Sequence, residues 1–141
     1  MSDREVREPS VEHPLDIAPT GKRVTVHVNG EMVADTFQAL TVREANYPEV
    51  QYIPFDDLVD QMLVRTDTST YCPYKGDANY YSVKTQAGAV VEDIIWTYER
   101  PHTAASAIAG YMAFYPDKAT VTVDGTVFDG DAPTCECQLG D

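Results

Sequence analysis

From Arg23 to Thr36 the chain has one good solution, a β-hairpin. Val24, Val26 and Val28 alternate with Thr25 and His27, the two-residue period that turns one face of a strand inward and the other outward. Asn29-Gly30 follows, and a two-residue type I′ turn needs positive φ at both central positions, which these two residues tolerate. Glu31 to Thr36 then returns as the partner strand. The same grammar recurs twice. Tyr80–Gln86 and Val90–Trp96 frame Ala87-Gly88-Ala89, and Thr120–Val123 meets Val127-Phe128 across Asp124-Gly125. Three hairpins commit the chain to antiparallel sheet.

Weaker signals fill in the rest. Leu40–Glu44 reads as a strand in which Leu40 and Val42 share a face with Glu44, and Val50–Ile53 as another, ended by Pro54. Phe55–Leu58 suits one helical turn, and Met62–Arg65 is extended again. Thr66–Ala78, rich in Asp, Thr, Pro and Gly, is expected as an ordered loop. The one convincing helix covers Ala104–Ala109, with Thr103 as N-cap and Gly110 as the C′ stop. No strand–helix alternation supports a doubly wound sheet. The expected class is mainly β: compact, hairpin-built antiparallel sheets with one short helix near residues 103–110. Residues 1–20, with Pro9, Pro14 and Pro19, are expected as an irregular arm whose Val11, Leu15 and Ile17 can dock on the body. Residues 21–128 form a single β domain and 129–141 an acidic tail.

Charge narrows the function classes. Ten Lys and Arg against 23 Asp and Glu give a formal charge of −13 over 141 residues. No basic block exists for counterion release, so nucleic acid is not an expected partner. Anionic membrane surfaces are disfavoured for the same reason. No run of about 18 apolar residues is present to span a bilayer. The charged stretch Met1–Glu12 lacks the apolar centre of a secretory signal, and three cysteines are too few for a disulfide framework. A cytoplasmic setting is expected. An acidic surface of this kind suits a salt-rich, halophilic cell interior, where screening quiets its self-repulsion.

The densest chemistry lies at Thr70-Tyr71-Cys72-Pro73-Tyr74-Lys75-Gly76. Pro73 biases Cys72 to an extended backbone, and Gly76 can release the chain in a tight turn. An ammonium near Cys72 would favour its thiolate, making a nucleophile or redox group; Lys75 can equally hold a carboxylate or phosphate. The bland alternative makes Cys72 a small buried residue and Lys75 a snorkelling surface charge. Tyrosines and Trp96 concentrate around this loop and can wall a small-molecule pocket or simply pack the core. Glu44 can supply a carboxylate beside the lysine, although a Glu at a strand end is usually solvated. Cys135-Glu136-Cys137 could chelate a soft metal, but no Cys-x-x-Cys or His-x-x-x-His spacing completes a zinc set, and a mobile tail is the preferred reading. No cofactor is implied, because the usual glycine-rich phosphate cradles are absent.

The run Tyr71-Cys72-Pro73-Tyr74-Lys75-Gly76, followed by Ala78, Tyr80 and Ser82, resembles the signature of the bacterial and archaeal family catalogued as domain of unknown function 427. Arg23-Val24, Gly30, Ala34-Asp35, Ala39, Glu44, Tyr47-Pro48 and Tyr52-x-Pro54 agree upstream. Glu92-Asp93, Trp96-x-Tyr98, Ala107–Gly110 and Phe114-Tyr115-Pro116 agree downstream, so the resemblance covers roughly residues 22–124. It implies a β-tent-like fold, similar to that of zinc-binding methionine sulfoxide reductases. The paired Cys-x-x-Cys knuckles of that group are missing here, so neither metal nor reductase chemistry transfers. The family also carries a nucleotidyltransferase-type name, yet no Gly-Ser loop precedes Asp56-Asp57, and adjacent residues cannot share one strand face. The favoured expectation is binding of a small anionic or polar ligand by Glu44, Tyr52, Cys72, Lys75, Tyr80 and Trp96. The alternative is a non-catalytic protein-interaction or self-association module. No motif decides between enzyme and binder, and none fixes an oligomeric state.

Overall fold

The computed structural model describes residues 6–10, 13–124 and 126–128. In chain order its strands are β1 (Leu15–Pro19), β2 (Val24–Val28), β3 (Glu31–Thr36), β4 (Leu40–Glu44), β5 (Val50–Pro54), β6 (Leu63–Cys72), β7 (Gly76–Lys84), β8 (Val90–Thr97), β9 (Tyr111–Phe114), β10 (Thr120–Val123) and β11 (Thr126–Phe128). They form a seven-stranded sheet, β1-β4-β5-β9-β8-β7-β6, and a four-stranded sheet, β11-β10-β2-β3. Every pairing between these strands is antiparallel. The three expected hairpins are β2–β3, β7–β8 and β10–β11. Asn29 and Gly30 have φ of 51° and 82°, the left-handed pair that the first turn requires.

Two expectations are corrected. Within the arm expected to be irregular at residues 1–20, Leu15–Pro19 is an edge strand in register with β4, from Leu15 opposite Glu44 to Pro19 opposite Leu40. A sheet edge tolerates proline because one row of its backbone groups needs no partner. The loop expected over Thr66–Ala78 is mostly strand: β6 runs to Cys72 and β7 begins at Gly76, leaving Pro73–Lys75 as the turn. Its threonines have a defined use. Thr66 and Thr68 hydroxyls each donate to the Asp93 carboxylate at 2.7 Å, tying edge strand β6 to β8 across β7 where both flanking strands bulge.

Helical structure is slight among the described residues. Phe55–Asp57 and Asp60–Met62 are single 3₁₀ turns. Thr103–Ile108 is also 3₁₀, interrupted at Ala105, and its cap is His102 instead of Thr103. Gly110, at φ 78°, ends it as expected and donates its N–H to the Tyr98 carbonyl at 3.1 Å. None of these is long and apolar enough to cross a membrane. The tail at 129–141, with Cys135 and Cys137, lies outside the described residues.

The larger sheet has a core on each face. One is aliphatic: Val24, Val26, Val28 and Val33 of the small sheet meet Ile53, Val83, Ile94, Ile95 and Phe114 of the large one. The other gathers Tyr52, Cys72, Tyr80, Trp96 and Tyr98 with Val42 and Ala113, and Ala105 and Ile108 pack over it. Successive residues of a central strand serve opposite cores, as Ile95 and Trp96 do on β8 and Met112 and Ala113 on β9. Burial on both faces explains why these strands read as nearly continuous apolar runs.

Candidate functional site

Lys75 and Glu44 meet inside the aromatic core. The Lys75 ammonium donates to Glu44 Oε1, and the two side chains are only 3% and 6% exposed. The sequence readings of Lys75 as a snorkelling charge and of Glu44 as a solvated strand end are therefore both corrected. Each residue is held by its backbone. Lys75 closes the β6–β7 turn, with its carbonyl accepting the His102 N–H at 2.9 Å. Gly76 follows at φ 113°, with the backbone of Arg100–His102 so close that an added Cβ would sit 3.4 Å from it. Glu44 ends β4, and the next residue, Ala45, holds φ at 48°. A left-handed alanine is strained, and here it turns the chain sharply beside the carboxylate. The Ala45 N–H donates to the Pro14 carbonyl at 2.9 Å.

The other sequence candidates surround this pair. Trp96 Nε1–H donates to the Tyr52 hydroxyl at 3.0 Å, and the two rings stand edge to face. The Tyr80 hydroxyl lies 3.0 Å from Thr70 Oγ1 and 3.4 Å from the Tyr115 hydroxyl. Cys72 is 1% exposed. Burial pushes its thiol up, opposed by the nearby Lys75 charge and by the N–H groups of Tyr74 and Lys75, which donate to the sulfur. Burial wins, so Cys72 here is a thiol and not an activated thiolate. Tyr52 and Tyr98 are likewise driven far above the ordinary phenol range, chiefly by burial. All six residues thus share one core.

The site has members beyond the six candidates: tyrosines read from the sequence only as general pocket-wall or core residues, and His13, which sequence reasoning missed. Tyr98 is fully buried, with the Lys75 ammonium 5.8 Å from its ring centre. His13 places Nε2 2.7 Å from Glu44 Oε2, on the side of the carboxylate away from Lys75. Its ring lies flat on Tyr74, with centroids 3.7 Å apart and planes 4° apart, and Tyr47 meets it edge-on at 6.4 Å. Nothing local in the sequence marks His13, which is 31 residues from its acceptor. Tyr74 sat inside the signature run, and its neighbours offered the only available hint.

Two surface grooves of about 260 Å³ each flank Glu99. One is polar, between Ser69, Asp77, Asn79 and Arg100; the other runs beside Phe55, Tyr81, Gly110 and Met112. Neither is lined by any of the six sequence candidates. Among the described residues no group of three or more His, Cys, Asp or Glu side chains is arranged to hold a metal ion.

No curated protein matches the chain. A family model described as "Domain of unknown function (DUF427)" matches residues 16–125, which takes in Glu44, the Cys72–Gly76 turn and every tyrosine of the aromatic core. The chain belongs to the DUF427 family, domain of unknown function.

Proposed function

We propose that the domain binds a small anionic or polar molecule at the Glu44–Lys75 pair, with the aromatic residues around the Cys72–Gly76 turn as its walls. The observation that carries this reading is the burial of the ion pair. Desolvating two charges costs several kcal/mol each, and apolar residues of similar volume often serve stability as well or better. A lysine held dry beside an exchangeable carboxylate is, however, a ready partner for an incoming carboxylate or phosphate. In that exchange Lys75 receives the anionic group, while Glu44 turns to His13 or accepts a proton from the ligand. Tyr52, Tyr80 and Trp96 supply apolar faces with polar tips. The burial of Tyr52, Tyr80 and Trp96 supports this reading over a protein-interaction module built on the same residues.

The test is native mass spectrometry of protein purified gently from its own cells, beside the Glu44→Leu/Lys75→Met double variant. A bound small molecule in the wild type and none in the double variant is expected. An empty wild type that also fails to bind acetate and phosphate in titration would count against the reading.

A further inference from the structure

We propose that the His13 imidazole is a self-supplied occupant of a slot built for a planar nitrogen heterocycle carrying a ring N–H. This deepens the ligand-binding reading above and rests on it, since the slot shares Glu44 with the Lys75 pair. Three features define the slot. Tyr74 gives a flat floor: a ring 3.7 Å above it at 4° overlaps almost face to face. Two identical aromatic rings avoid that arrangement, whereas an electron-poor or cationic heterocycle over an electron-rich phenol favours it. Glu44 gives a directed acceptor, its Oε2 2.7 Å from the ring nitrogen, on a side chain 94% buried. Tyr47 closes one side edge-on.

The occupant is separable from the walls. The family match begins at residue 16, so Glu44, Tyr47 and Tyr74 lie within the family domain and His13 lies outside it. Ser10 and His13 exchange backbone hydrogen bonds of 3.1 Å. Val6, Arg7, Glu8 and Ser10 are exposed, and the Arg7 N–H donates to the Pro73 carbonyl at 2.9 Å. The His13 side chain is itself 16% exposed, so releasing it costs chiefly its ring stack and its Glu44 contact. A free heterocycle would compete with a tethered imidazole whose effective concentration is of millimolar order.

His13→Ala empties the slot while leaving its walls in place. Isothermal titration with imidazole should give saturable binding at least about tenfold tighter than to wild type. Thiazole, which has no ring N–H, should bind more weakly than imidazole. Adding Tyr74→Leu or Glu44→Gln to His13→Ala should abolish the gain. The wild-type chain gives an independent measurement: purine at millimolar concentration should speed hydrogen exchange in residues 6–10. Equal imidazole affinity in wild type and His13→Ala, or a gain that survives Tyr74→Leu, overturns the proposal. If His13→Ala does not fold, unchanged exchange in wild type with purine overturns it instead. Acetate and phosphate titrated into the same proteins keep the two readings apart. Imidazole bound without anions sinks the anion role of Lys75 and upholds the slot, and anions bound without imidazole do the reverse.

Discussion

Lys75→Met is the sharpest perturbation the structure offers. Methionine matches the lysine stem in volume, so packing is largely kept and the missing quantity is the charge. Glu44 then remains 94% buried with the His13 contact as the polar partner still seen on its other oxygen. Removing one member of a buried pair costs about 3–5 kcal/mol, because the remaining charge keeps its desolvation penalty. The surviving His13 contact argues for the lower end, about 3 kcal/mol. For a chain of this size that corresponds to a fall in Tm of roughly 10 °C. The assay is urea unfolding followed by fluorescence of Trp96, the one tryptophan, which is buried beside the pair's aromatic shell. Glu44→Leu/Lys75→Met should return to within about 1–2 kcal/mol of wild type, so the thermodynamic cycle should show strong coupling. A single Lys75→Met costing under about 1 kcal/mol would falsify the premise of a dry ion pair.

Three further outcomes are expected. Tyr52 and Tyr98 keep their protons in the fold far above the ordinary phenol range, while unfolded tyrosines ionise near pH 10. The native state then binds more protons, so this contribution is intact below about pH 10 and is lost above it at about 1.4 kcal/mol per pH unit for each residue. Tyrosinate absorbance rising before the Trp96 emission shifts would contradict this. Ala45→Gly should stabilise by up to about 1 kcal/mol, since glycine relieves the left-handed strain at φ 48°; a loss in urea midpoint would mean the alanine methyl packs better than the backbone suggests. Finally, with a formal charge of −13, the urea midpoint should rise from low to molar KCl as repulsion is screened, and a flat profile would remove the case for salt adaptation.

Legibility followed the range of the interactions. Asn29-Gly30 declares its hairpin because turn geometry and strand alternation are both local, and the structure needs nothing distant to realise them. β1 and β6 were harder because they are edges. Leu15 and Ile17 alternate correctly, but prolines bracket them, and only pairing with β4 makes the segment a strand. β6 reads as polar loop because its threonines are satisfied by Asp93, 25 and 27 residues away. The Cys72–Gly76 run and Glu44 could be singled out from the sequence, yet their burial could not, since a salt bridge spanning 31 residues leaves no periodic trace. His13 is the extreme case: its role depends entirely on where a proline-flanked arm comes to rest.

The division of the two cores bears on why the pair exists. Each face of the seven-stranded sheet carries a buried core, and the one toward the small sheet is filled with aliphatic side chains, two methionines and Phe114. The opposite face, built on the same strands, carries tyrosines, Trp96, Cys72 and a buried lysine and glutamate. Had stability been the only demand, the second core could have used the residues of the first, since ion pairs seldom repay their desolvation. The strained Ala45 adjoins one partner and Gly76, pressed against Arg100–His102, adjoins the other. Strain and desolvation thus fall on the same few residues. Such costs persist where activity or binding requires them, and relieving them is expected to trade function for stability. Under the proposed function, Glu44→Leu/Lys75→Met makes that trade measurable in one protein: the expected outcome is a fold near wild-type strength without the acetate or phosphate binding proposed for the wild type. A double variant that lost the fold together with binding would instead make the pair a structural element.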